Sequence, residues 1–158
     1  MRYLELAGHS RVWIYQSSRE LTEAEVTEIM NYGQQFIINW AAHGQELDAA
    51  IEVFYKRFIV LFADESEIKA SGCSIDSSVH FIKRIQEAYG IDLFDRLNIA
   101  FKTANKIDTM RMNDFQLALT KGLLDENTIV FNNLVENKAA FETNWEVPVK
   151  ESWHRQMI

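Results

Sequence analysis

The chain has one cysteine and one proline in 158 residues. One cysteine cannot close an internal disulfide or supply a cysteine-rich zinc site. It suits a reducing compartment, and a cytoplasmic protein is expected. With a single proline and no low-complexity tract there is no flexible linker to expect, so residues 1–158 read as one domain. Long apolar runs are missing too. The longest, Phe58 to Ala63, is far too short to cross a bilayer. The N-terminal residues lack the basic start and apolar core of a signal peptide. Membrane insertion is therefore not expected.

Clustered positive charge is also lacking. Acids outnumber bases 23 to 16, a net charge of −7. Binding a polyanion draws on grouped Lys and Arg that release counterions, so a nucleic-acid partner is not expected. No Gly-Lys dipeptide occurs, which removes the Walker A phosphate loop. GxGxxG and GxSxG are absent, and with them the dinucleotide fingerprint and the nucleophile elbow. The four histidines form no HExxH pair. No cofactor and no metal are expected. Asp64, Glu65, Glu67 and Asp76 match no EF-hand spacing and read as a solvated acidic loop.

What is present is a patterned α+β sequence. Arg11–Gln16 is rich in β-branched and aromatic residues and reads as a strand. Thr22 and Glu25 have capping-box spacing, with Leu21 and Val26 as a hydrophobic staple. Val26, Ile29, Met30, Gly33, Ile37 and Trp40 then follow one helical face. Gly44 is expected to end that helix, with His43 at its C-terminal end. Residues 49–55 and 58–63 read as a hairpin whose second strand is covered on both faces. A continuous helix from Leu47 to Phe62 is the competing reading, disfavoured by the β-branched and aromatic content.

A second helix is expected over about 75–89, capped by Ser74 or Asp76 and stopped by Gly90. Ile75, Val79, Ile82, Ile85 and Tyr89 form its buried stripe. Asp76, His80, Lys83 and Glu87 form its wet face. Residues 97–101 and 107–112 read as a hairpin. Asn113 and Gln116 offer a cap for a short helix ending near Gly122, and residues 128–131 read as the last strand. Trp145, Val147 and Trp153 make the tail apolar enough to dock. The β-α-β-β-α-β order through residue 102 is that of a ferredoxin-like unit with C-terminal additions. The expected fold is α+β, a mainly antiparallel sheet with helices on one face.

The junction at residues 64–78 carries the candidate chemistry. Cys73 precedes a helix, whose dipole favours thiolate, but Asp76 opposes it. A nucleophilic Cys73 therefore needs a base or cation from His43, His80 or Arg57. The C-x5-R spacing of cysteine phosphatases is absent, because Val79 stands where the arginine belongs. The same turn can present amides to a small anion, with Ser71, Gly72, Ser74, Asp76, Ser77 and Ser78 as binding residues. Gly72 is expected to supply a backbone angle that side chains resist.

The segments RVWIYQSSREL, FIINWAAHG, RFIVLFADE, ASGCSIDSSVHFIK and NWEVPVKESWH resemble a small bacterial family that carries the automatic label "ABC transporter ATPase". That label implies nucleotide hydrolysis. The chain has no Walker A loop, Walker B strand or LSGGQ-type signature, so the resemblance implies membership without a catalytic residue. The sequence reading is a non-catalytic module for a small anion or a protein partner. Two alternatives stand beside it: an enzyme using Cys73, and a structural homodimer joined through the aromatic tail.

Overall fold

Arg11–Gln16 forms the first strand, β1, in a computed structural model that describes residues 1–42 and 44–158. The chain divides into two compact units, residues 1–94 with 136–139, and residues 95–135 with 140–158. The first holds β1, α1 (Glu23–Asn39), β2 (Ala41–Ala42), β3 (Gln45–Glu46), β4 (Asp48–Phe54), β5 (Phe58–Asp64) and α2 (Gly72–Tyr89). The second holds β6 (Asn98–Thr103), β7 (Lys106–Arg111), α3 (Met112–Thr120), β8 (Ile129–Phe131), most of α4 (Lys138–Asn144) and β9 (Glu146–Pro148). The fold is α+β with antiparallel pairing throughout the described sheets. Among the described residues no helix is long and apolar enough to cross a membrane.

In the first unit, β5 lies between β1 and β4. Its residues Phe58 to Ala63 are fully buried, as its unbroken apolar run requires. The competing helix over 47–62 is thus excluded. Alternate residues serve opposite faces. Ile59 and Leu61 join Ile51 in a core with Leu21 and Ile29 from the α1 side and Phe81, Ile82 and Ile85 from α2. On the other face, Tyr3 stacks on Phe62 at 4.8 Å and meets Phe54 edge-on at 5.5 Å.

The capping box forms as read: Thr22 Oγ1 accepts from the Glu25 N–H, and Glu25 Oε1 accepts from the Thr22 N–H. Arg19 pairs with the same carboxylate, and its hydrogen bonds are the main reason Glu25 is held down to a pKa of about 2. Glycine at position 33 lets α1 sink onto β4. A Cβ there would lie 2.6 Å from Ile51 Cδ1 and 3.1 Å from its Cγ2.

Several boundaries differ from expectation. The first helix ends at Asn39, not at Gly44, because Trp40 turns extended and its N–H bonds Ile37 O. Gly44 has φ +77° but sits in the β2–β3 hairpin. His43 lies outside the described residues. The turn between β4 and β5 uses Tyr55 and Lys56 at φ 55° and 53°, which places both in the left-handed region without glycine or asparagine. The carbonyls of Lys56 and Arg57 accept from Leu21 and Ser17, so tertiary hydrogen bonds hold the turn.

The ferredoxin-like arrangement does not form. It needs the strand after the second helix in the same sheet as β1. Instead β6 pairs with β7 and β8 in a separate sheet ordered β7-β6-β8-β9. Helix α3 starts directly after β7, with Arg111 at the N-cap and no side-chain cap, so the Asn113–Gln116 pattern is not used. The tail is docked. Val147 pairs with Val130, and Trp145 is buried with its Nε1–H donating to Asn133 Oδ1 at 2.9 Å. Phe141 stacks on Trp145 at 4.6 Å. The strand β9 was not expected from the sequence; three residues are too few to show alternation.

His154 is buried in the second unit, stacked on Trp153 at 3.9 Å and 2.6 Å from Ser152 Oγ through Nδ1. Burial pushes its pKa down to about 4.

Two outcomes follow from this packing. Gly33→Ala gains about 1 kcal/mol of helix propensity but overpacks Ile51, a cost of about 1–3 kcal/mol. Denaturant unfolding should show it net destabilising in the native background and no longer so beside Ile51→Val, which removes the closest atom. Equal effects in both backgrounds would contradict the contact. For His154, the unfolded chain takes up a proton near pH 6.5 and the folded chain only near 4. Stability is therefore full above about 6.5 and falls as pH drops toward 4, by on the order of 3 kcal/mol at most. His154→Phe should flatten the slope of stability against pH in that window; an unchanged slope would remove His154 as its source.

Candidate functional site

The expected site residues 71–78 come together at the start of α2, and most of their polar groups are spent there. Ser71, not Ser74 or Asp76, is the N-cap. Its Oγ accepts from the Ser74 N–H at 3.1 Å, and its own N–H donates to Ser74 Oγ at 2.6 Å. This is a capping box in which serine takes the usual Glu or Gln position. Several serines stand at possible cap positions, so the sequence left the helix start three residues too late. Ser74 Oγ donates to Ser71 O at 2.9 Å, Ser77 Oγ to Ser74 O at 2.8 Å, and Ser78 Oγ to Ile75 O at 2.6 Å. Ser74 and Ser78 are buried.

Gly72 is an ordinary first-turn residue without a positive φ, and a Cβ on it would meet nothing within 4 Å. The expectation of a special backbone angle there is corrected: with Ser71 as cap, position 72 is helical. Cys73 and Asp76 are exposed on the first turns. No side chain among the described residues hydrogen-bonds to the Cys73 sulphur.

The preceding loop is stapled by its own carboxylates. Asp64 Oδ1 accepts from the Ser66 amide at 2.9 Å and from the Ser66 hydroxyl, and lies 3.2 Å from His9 Nε2. The Ser66 hydrogen bonds, foremost, hold Asp64 below the usual carboxylate range. Glu65 Oε2 accepts from the Ala70 N–H at 2.6 Å. Among the described residues, no three metal-ligating side chains converge.

A recess lies farther along the same helix. Tyr32, Gln35, Phe36 and Asn39 share one face of α1. Ser77, His80, Phe81 and Arg84 share one face of α2, at helical spacing. With Trp40 they line a groove of about 470 Å³. Its floor is a run of aromatic rings. Phe36 stacks on Phe81 at 4.4 Å and 10°, Tyr32 tilts against Phe81 at 5.1 Å, and Phe36 meets Trp40 at 5.4 Å. Trp13 packs edge-on behind Trp40 at 5.7 Å.

Trp40 also ties the two helices. Its buried Nε1–H donates to Ser74 O at 2.8 Å, the carbonyl that Ser77 also uses. The first turn of α2 is thus pinned to the end of α1, and the groove walls are held in place. Its rim is polar and exposed: Gln35, Asn39, Ser77, His80 and Arg84. Arg84 and His80 line it and no carboxylate does, although the chain carries 23 acids.

The sequence reading had His80 on the wet face and Trp40 on the core side, and both are so placed. It missed that the two helices lie side by side and bring these faces together. The available signal was aromatic residues at 32, 36 and 40, four apart, in a helix otherwise read for its aliphatic stripe.

The cap assignment is testable by a pair of substitutions. Ser71→Ala should cost about 0.5–2 kcal/mol in denaturant unfolding. Asp76→Ala should stay within about 0.5 kcal/mol of the native chain. A reversed order would return the cap to Asp76.

Compared with known proteins, the chain matches no family model, no curated protein and no solved structure.

Proposed function

We propose that the chain is a non-catalytic binding module that holds a small molecule in the α1–α2 groove. The observation that carries this is the groove itself: a fixed aromatic floor, a polar rim and a volume of about 470 Å³. Sites for small ligands are typically about 300–1,000 Å³, mostly apolar, with a few convergent polar groups. The hydroxyls of Ser71, Ser74, Ser77 and Ser78 bond within the helix start. That favours the groove over the turn as the place where a ligand is met.

The enzyme reading has less to support it. Cys73 lies one turn before Ser77 on the same stripe of α2, so a reactive thiol would act at the groove's end. Of the groups considered as its activators, His80 is two turns away along that stripe and His43 is outside the described residues. A homodimer through the tail has less apolar surface to draw on, because Trp145 and Val147 are buried within the second unit and Trp153 is half-buried there. Nucleotide triphosphates are not proposed as ligands, given the missing phosphate loop.

The test is a titration of ¹⁵N-labelled protein with indole and naphthalene fragments. Binding in the groove should shift amides of residues 32–40 and 77–84. Ser77→Trp, an exposed position, should abolish those shifts by filling the recess, and Cys73→Ser should leave them intact. Fragments that shift none of these amides would end the groove reading. Covalent, stoichiometric modification of Cys73 by a fragment electrophile much faster than of a free thiol would favour the enzyme instead.

A further inference from the structure

We infer that the ligand of the α1–α2 groove is an organic monoanion, an apolar body of one or two rings bearing a carboxylate seated on Arg84 and His80. This rests on the groove reading above and adds the chemistry of the occupant.

Charge complementarity carries it. On a chain of net charge −7, the ionic side chains of the lining are one arginine and one histidine. Residues 80 and 84 are four apart on α2, so their side chains rise from the same rim about 5–6 Å apart. Gln35 and Asn39 have the same spacing on α1; Gln35 offers an amide donor from the other rim, and Asn39, whose Nδ2 donates one N–H to Gln35 O at 3.3 Å, has its second N–H to give. A carboxylate is the group this set recognises, since the guanidinium fork binds it through two parallel hydrogen bonds.

Arg84 is also available. Arg2, Arg11, Arg19 and Arg111 are each engaged with a carboxylate, whereas Arg84 enters no ion pair among the described residues. Glu87, the acid one turn on, is not part of the lining and makes no bond to it. Arg84 is the one Arg or Lys side chain of the lining and matches a single negative charge, which disfavours a polyphosphate. The apolar body is set by the floor. Trp40 and Phe81 are each 2% exposed and give a closed base, while Tyr32, 38% exposed, and half-buried Phe36 offer reachable ring surface. The volume of about 470 Å³ suits a body of one or two rings.

The probe is 2-naphthoate, compared with the neutral 2-naphthamide, titrated into ¹⁵N-labelled full chain. The expected result is naphthoate binding about tenfold tighter, the worth of one charge-assisted contact. Arg84→Gln should remove most of that preference, and His80→Gln part of it. Both positions are exposed, so the fold should persist, which the amide spectrum itself reports. If naphthamide binds the groove as well as naphthoate does, the anion inference falls and the groove reading stands. If Arg84→Gln leaves the preference unchanged, the inference also falls. If neither compound shifts residues 32–40 and 77–84, both fall together.

Discussion

The first unit depends on β5. Six consecutive side chains, Phe58 to Ala63, are out of contact with water, and they alternate between two faces. A strand buried this way must have both edges paired, because an unbonded buried amide or carbonyl costs about 1–3 kcal/mol. The β1 and β4 pairings meet that demand along its whole length. Both faces must be covered as well. Helices α1 and α2 cover one, and the N-terminal Tyr3 covers part of the other. A fully buried aliphatic side chain contributes roughly 1.5–3 kcal/mol, so the covered central strand adds substantially to this unit's stability.

The groove is a consequence of that covering. Two helices laid over a three-stranded sheet leave a furrow between their outer faces. Its depth depends on how closely the helices approach the sheet and one another. Gly33 lets α1 descend onto Ile51, and Phe36 and Phe81 close the gap between helices by stacking. The Trp40–Ser74 hydrogen bond fixes one end. The same contacts that build the core therefore pre-organise the recess, which lowers the ordering cost of binding.

The helix start and the tight turn show how local chemistry is settled by its surroundings. Left-handed backbone at Tyr55 and Lys56 carries a cost of roughly 1–2 kcal/mol per residue. It persists because the chain entering α1 donates two hydrogen bonds to the turn's carbonyls. At the start of α2 the serines offer several alternative caps. With Ser71 as the cap, Ser74 is buried and its backbone carbonyl accepts from Trp40.

Much of the local structure was legible in the residues. Arg11–Gln16 announced a strand by β-branched and aromatic content, Thr22 and Glu25 announced a capping box, and the unbroken run at Phe58 announced a strand covered on both faces. Gly90 marked the end of α2, and its φ of 61° is the angle such a stop needs. These signals are short-ranged, so the sequence by itself determined them. Sheet membership, the cap at Ser71 and the groove were decided only in three dimensions. Strand β6 follows α2 in order, but which sheet it joins depends on partners far along the chain. Likewise Tyr32, Phe36, His80 and Arg84 carry no mutual signal in sequence. They share a recess because two helices, each amphipathic on its own account, must lie on the same face of one sheet to keep β5 dry.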